Sequence, residues 1–208
     1  MSKDITNTTV IAVTGGSGSG KTSLIRAAEE LFDISKLCVV SMDNYYLPRE
    51  KQPEDNLGFK NFDTPGALDY IRLVKDLRNL LAGKTVRQDV YTFNNPQKPD
   101  LWLEIKPANI ILIEGLYFLC HDTILELINY IVFVEAREDL MLRRRIRRDN
   151  VERGYDLEDV VYRFENHVTP AYQKYVLPFR NKADIIIKNN GPIEEQVKLF
   201  QDWINKIL

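Results

Sequence analysis

The stretch Thr9-Val10-Ile11-Ala12-Val13-Thr14-Gly15-Gly16-Ser17-Gly18-Ser19-Gly20-Lys21-Thr22 decides the fold. A short apolar run leads into Gly-x-x-x-x-Gly-Lys-Thr, and a helical pattern follows from Lys21 to Phe32. A buried strand, a glycine loop and a helix in that order make a phosphate cradle. Glycines at Gly15, Gly16, Gly18 and Gly20, with Ser17 and Ser19 between them, allow positive φ and let backbone N–H groups close on an anion. The helix adds its unpaired amides and the positive end of its dipole. Lys21 can then reach the β/γ-phosphates, and the Thr22 hydroxyl can sit on a magnesium ion. A flexible Gly/Ser loop ending by chance in Lys-Thr would lack the strand before and the helix after. The reading is a nucleoside triphosphate site.

Outward from this loop, short β-branched runs alternate with longer amphipathic stretches. Thr9–Val13, Leu37–Ser41, Asn109–Ile113, Tyr130–Val134 and Ala183–Lys188 read as strands buried on both faces. Lys21–Phe32, Ala67–Leu81, Asp139–Arg153, Leu157–Tyr175 and Ile193–Ile207 read as helices. The alternation predicts an α/β fold, a doubly wound parallel five-stranded sheet with helices on both faces and ligands at the C-terminal strand ends. One stretch breaks the rhythm. From Asp43 to Pro107 the chain gathers most of its prolines and the aromatics Tyr45, Tyr46, Phe59, Phe62, Tyr91, Phe93 and Trp102. Such a long polar insertion is assigned to the acceptor substrate.

The 208 residues fit one domain, residues 1–208, with 43–107 as the insertion and 139–156 as a lid. A net charge of −2 offers no field that would draw the protein to nucleic acid or an anionic membrane. Cys38 and Cys120 lie in or beside apolar runs, as reduced cysteines of a cytoplasmic protein do. The N-terminus has no signal-peptide core, and no apolar run reaches membrane-spanning length.

A phosphate loop alone does not separate a GTPase from a kinase. Asp63-Thr64-Pro65-Gly66 and Asn181-Lys182-Ala183-Asp184 match GTPase motifs, but the first follows no buried strand and the second enters a strand instead of leaving one. A kinase needs a carboxylate at the acceptor hydroxyl, acidic help for magnesium, and cations over the transferring group. Asp43 leaves the second strand and Glu114 the third, both at the edge that carries the loop. The run Arg143-Arg144-Arg145-Ile146-Arg147-Arg148, then Arg153, supplies the cations, on a helix read as interrupted at Asn150 and Gly154. Arg145 and Arg148 share a face; others in the run are solvated.

These residues together resemble the uridine kinase family, with phosphoribulokinase and pantothenate kinase as more distant relatives. The resemblance runs through the loop from Val13 to Thr22, Ser41-Met42-Asp43-Asn44-Tyr45-Tyr46, Asn61-Phe62-Asp63-Thr64-Pro65 and Ile113-Glu114-Gly115. It continues through Arg144 to Asp149, Glu152-Arg153-Gly154, and Ala183 to Ile187. It implies transfer of the γ-phosphoryl group of ATP to the 5′-hydroxyl of a pyrimidine nucleoside, with Mg²⁺. By that match Asp43 is the general base, and Thr22, Glu114 and Asp43 lie where the family holds magnesium. Asp63 holds both ribose hydroxyls, Tyr46 and Tyr91 line the nucleoside pocket, and Arg145, Arg148 and Arg153 are lid and phosphate arginines. The implied partner is a small-molecule acceptor, with self-association into a homo-oligomer left open.

The chain departs from the family pattern at three places. Pro96 stands where a base-reading histidine is usual, Lys98 where an arginine is, and Tyr155 where a further lid arginine follows the Arg-Gly pair. A lost base-reading hydrogen bond changes discrimination by orders of magnitude. Phosphoryl transfer is expected intact and acceptor choice loosened. A kinase for another hydroxyl-bearing metabolite, or a non-catalytic nucleotide-binding module, stays open at this level. His121 and His167 read as structural.

Overall fold

The computed structural model describes residues 8–31, 36–92 and 101–207. The glycine loop joins β1 (Thr9–Gly15) to α1 (Lys21–Leu31), and β2 (Leu37–Ser41) follows. A 3₁₀ turn, Met42–Tyr45, begins the insertion, which holds α2 (Tyr70–Leu81) and the strands β3 (Val86–Asp89) and β4 (Trp102–Ile105). Then come β5 (Ile110–Glu114), the short α3 (Asp122–Leu125), β6 (Tyr130–Glu135) and the arginine helix α4 (Glu138–Arg153). The chain closes with α5 (Leu157–Arg163), α6 (Thr169–Ala171), β7 (Ile185–Lys188) and α7 (Ile193–Ile207).

The main sheet runs β2-β5-β1-β6-β7, and each neighbouring pair is parallel. Alternation along β1 makes two cores. Val10 and Ala12 face Leu73, Leu77 and Leu80 of α2, whereas Ile11 and Val13 face Leu24, Ile25 and Ala28 of α1 and Phe200 and Ile204 of α7. Helices therefore cover both faces, as the apolar strands require. No helix among the described residues is long and apolar enough to cross a membrane. Cys38 is buried, Cys120 half-buried, and both are free thiols.

Several boundaries differ from the sequence reading for local reasons. The helix expected from Ala67 starts at Tyr70, because Asp69 caps it by accepting from the Arg72 amide, and Pro65–Ala67 forms a separate turn. The arginine helix runs unbroken through Asn150 and stops only at Gly154, whose φ of 68° is left-handed. The helix expected over Leu157–Tyr175 widens twice into π turns, Phe164–Val168 and Tyr172–Val176. Each π turn ends two residues before a proline, Pro170 or Pro178, whose missing N–H breaks the regular ladder. The antiparallel β3–β4 pair inside the insertion was not anticipated: Asp89 and Arg87 make its first strand polar enough to hide it.

Asp184 explains the GTPase-like Asn-Lys-x-Asp. Its Oδ2 accepts from the Ile131 amide at 2.7 Å and its own amide donates to the Ile131 carbonyl at 2.8 Å, pinning β7 to β6 at the edge away from the glycine loop. Asp184→Ala should lower stability by about 1 kcal/mol, the scale of one hydrogen bond, in a urea titration. Its ATP/GTP preference should stay unchanged in binding assays.

Candidate active site

Pairing register brings the site together. Val13 and Ser41 both stand abreast of Glu114, so the glycine loop, Glu114 and Asp43 emerge side by side from three adjacent strands. Glu114 is buried and its Oε1 accepts from the Ser41 hydroxyl at 2.7 Å. Burial first, and the charge of Asp43 second, push its carboxyl above the usual range.

The loop's glycines act by space as well as by angle. Gly18 has a φ of 80°, and a Cβ there would run into the Met141 carbonyl of α4. Gly16, expected to need positive φ, is absent from the positive-φ positions; a Cβ on it would meet the Met141 sulfur at 2.7 Å. Close packing of α4 on the loop, not backbone handedness, holds that position. Lys21 is buried and its Nζ donates to the carbonyls of Gly15 and Gly16, each at 3.0 Å. Burial lowers its pKa to about 8, against the opposing pull of Glu114 and Asp43.

A cavity of about 510 Å³ runs from the loop into the insertion. Ser17, Gly18, Gly20, Lys21 and Thr22 line one end, Tyr46, Phe62 and Asp63 the other, with Asp43, Glu114, Arg145, Arg148 and Arg153 also on its wall. Asp63 is buried; its Oδ1 accepts from the Tyr117 hydroxyl at 3.4 Å. Tyr46 packs edge-on to Phe62 at 5.8 Å between centroids, and Tyr91 lies 5.6 Å from Tyr46. Burial, then the charges of Asp43 and Asp63, push the Tyr46 hydroxyl well above its ordinary pKa. Every site residue expected from the sequence thus lies on this cavity, in its loop, or, for Tyr91, against its aromatic wall. Phe93, Asn94, Asn95, Pro96 and Lys98 lie outside the described residues.

The arginines are sorted by Asp149, which sequence reasoning did not single out. Asp149 is buried, with Arg148 Nε at 2.8 Å, Arg145 Nε at 3.1 Å and Arg153 Nη1 at 3.4 Å from its carboxylate. Burial alone would raise its pKa, but Arg148 and Arg145 outweigh that and hold it below the carboxylate range. One anion amid mutually repelling guanidinium groups fixes their places. Arg145 then spans the site: Nη1 donates to the Ser17 hydroxyl at 3.0 Å and Nη2 lies 3.7 Å from Asp63. Arg153 comes within 4.0 Å of Asp43. Arg144 is used differently, donating to the carbonyls of Ser19 and Asn189 behind the loop. Arg143 is exposed and pairs with Asp139. The i, i+4 spacing of Arg145 and Arg153 to Asp149 was the available signal. His167, buried on Asp55 at 2.8 Å, and His121, stacked on Tyr70 at 4.8 Å, do not line this cavity.

A phosphate loop at the C-terminal edge of a parallel sheet, facing carboxylates and a helix of paired arginines, defines a P-loop phosphotransferase with a hydroxyl-bearing acceptor. Residues 10–194 match the model of the phosphoribulokinase / uridine kinase family, and the chain belongs to that family. It is 32% identical over 199 residues to a uridine kinase of Ligilactobacillus salivarius, covering 96% of this chain and 93% of that one. It is 35% identical over 179 residues to the mouse uridine-cytidine kinase-like 1, covering 85% of this chain but only 33% of that longer protein. The structure of phosphoribulokinase from Rhodobacter spheroides shares the fold, with a TM-score of 0.60 at 17% identity over 88% of this chain and 70% of that one.

Two expectations follow. With a Lys21 pKa near 8 the amine loses its proton as pH rises through that value, so ATP affinity in calorimetry should fall above about pH 8 and depend much less on pH in Lys21→Ala. Arg148→Ala should lower kcat by about 10²-fold, the scale of one preorganised charge donor, whereas Arg143→Ala should leave steady-state rates near wild type.

Proposed function

We propose that the protein transfers the γ-phosphoryl group of ATP to the 5′-hydroxyl of a pyrimidine nucleoside, uridine or cytidine. One observation carries the reading: the phosphate loop and the two carboxylates Asp43 and Asp63 line the same cavity. A nucleoside presents vicinal hydroxyls and a flat ring. Asp63 offers two oxygens to the hydroxyls, and Tyr46 and Phe62, with Tyr91 behind them, offer a face to the ring. The charge of Asp43 acts on both Lys21 and the Tyr46 hydroxyl, so it lies within reach of both ends of the site. It is the base that accepts the 5′-hydroxyl proton as the oxygen attacks phosphorus.

Charge on the transferring group is met by Lys21 and by Arg145, Arg148 and Arg153, which Asp149 holds in place. Segment 139–156 serves as the lid over this centre, and segment 43–107 holds the acceptor. A magnesium ion fits the remaining groups. Glu114 is a buried carboxylate whose pKa is raised by burial and by Asp43, and a cation would relieve both. No cluster of three or more His, Cys, Asp or Glu that could hold a metal exists among the described residues. Thr22 and Glu114, with Asp43 beside them, would therefore hold the ion together with water and phosphate oxygens, as magnesium prefers. When bound it supplies charge neutralisation at the β- and γ-phosphates.

A pure binding module would have no use for Asp43 beside Lys21 and Glu114. Free thiols and the lack of a long apolar helix among the described residues support a cytoplasmic setting. The reading is tested by turnover with ATP against uridine, cytidine, purine nucleosides and sugar alcohols; phosphorylation of a non-nucleoside alone would overturn the acceptor assignment. Asp43→Asn should cost at least about 10²-fold in turnover while calorimetry shows wild-type ATP affinity.

A further inference from the structure

Among the cavity residues that the phosphoryl-transfer chemistry leaves unused, Arg163 is the one built like a reader. It lies on α5, away from the arginine helix, and shares the cavity wall with Tyr155 and Val160. Its Nε is held by both carboxylate oxygens of Asp159, at 3.0 and 2.9 Å, and its Nη1 donates to the Lys60 carbonyl at 2.8 Å. The guanidinium lies 5.7 Å from the Tyr155 ring centroid and 5.8 Å from that of Phe59. Nη2 carries no hydrogen bond to a described residue and is not among the buried polar atoms that lack one. A planar cation fixed on two sides, with one amine left open on a cavity wall, is preorganised to donate to a ligand oxygen.

The chemistry of the ligand narrows what that oxygen is. With the ribose hydroxyls on Asp63 and the 5′-hydroxyl toward Asp43, the base is the part left to meet the side walls. Uridine and cytidine differ at C4 but share a carbonyl oxygen at C2, an acceptor with no proton of its own. A donor-only group such as guanidinium can read that shared oxygen and cannot favour one of the two bases by its hydrogens. We propose that Arg163 is a specificity-determining residue whose Nη2 donates to the C2 carbonyl of the pyrimidine. This rests on the nucleoside reading above.

The test is steady-state kinetics of the full chain at saturating ATP, with uridine and 2-thiouridine, whose C2 sulfur is a poor acceptor. Wild type, Arg163→Ala and Arg163→Lys are compared, with thermal melts alongside. Wild type should prefer uridine by about tenfold or more in kcat/KM, and Arg163→Ala should erase that ratio. In Arg163→Ala the uridine KM should rise about 10- to 100-fold, the worth of a hydrogen bond to a charged group, with kcat and the KM for ATP nearly unchanged. Arg163→Lys should recover part of both the affinity and the ratio, and it keeps the test alive if the alanine variant folds poorly. Arg163 also ties the Phe59–Lys60 loop to α5, and mere loosening of that tie would weaken both nucleosides equally. An equal loss, an unchanged uridine KM, or a fall in kcat alone would overturn the inference while leaving nucleoside phosphorylation standing. Wild type that phosphorylates no nucleoside would overturn the nucleoside reading itself, and this inference with it.

Discussion

The parallel register that sets Val13 and Ser41 level with Glu114 is the constraint on which the site depends. Because side chains alternate across a strand, a slip of one residue would turn Glu114 to the opposite face and carry Asp43 away from the loop. Two apolar cores lock the register, since β1 buries Val10 and Ala12 on one side and Ile11 and Val13 on the other. Packing far from the phosphate loop thus decides where its carboxylates stand.

Charge organises the other wall. The arginine helix has little apolar face, yet Arg145 and Asp149 on it are buried. Such burial is tolerable only because the charges are paired: Asp149 collects three guanidinium groups, and Arg145 passes on to Ser17 and Asp63. The same chain of contacts links the phosphate loop to Asp63 through one side chain. Arg145 of α4 therefore touches both ends of the cavity. Met141, pressed against Gly16 and Gly18, adds a steric link between that helix and the loop.

The insertion is held by polar clips to the helical segment that follows α4. Asp55 accepts from Tyr162 and pairs with His167, both at 2.8 Å, and Arg163 reaches the Lys60 carbonyl. These contacts join residues about a hundred positions apart in sequence, |i−j| being 107, 112 and 103. The insertion and the helices after α4 are in that sense one assembly.

By itself the sequence determined the strands of the main sheet, the phosphate loop, the arginine helix and the candidacy of Asp43, Asp63 and Glu114. Those signals are local: β-branched runs long enough to bury on both faces, glycines at fixed spacing before Lys-Thr, carboxylates at strand ends. Only the tertiary structure decided which groups Asp149 and Arg163 meet, and which arginine goes where. Tertiary pairing also made a strand pair of two short polar-edged segments, β3 and β4, and packing against Met141 explains Gly16 where backbone angle does not. The reason is that a charged side chain announces its type but not its partner. Its place follows from the balance of burial against pairing, which is settled by groups that meet only once the chain has folded.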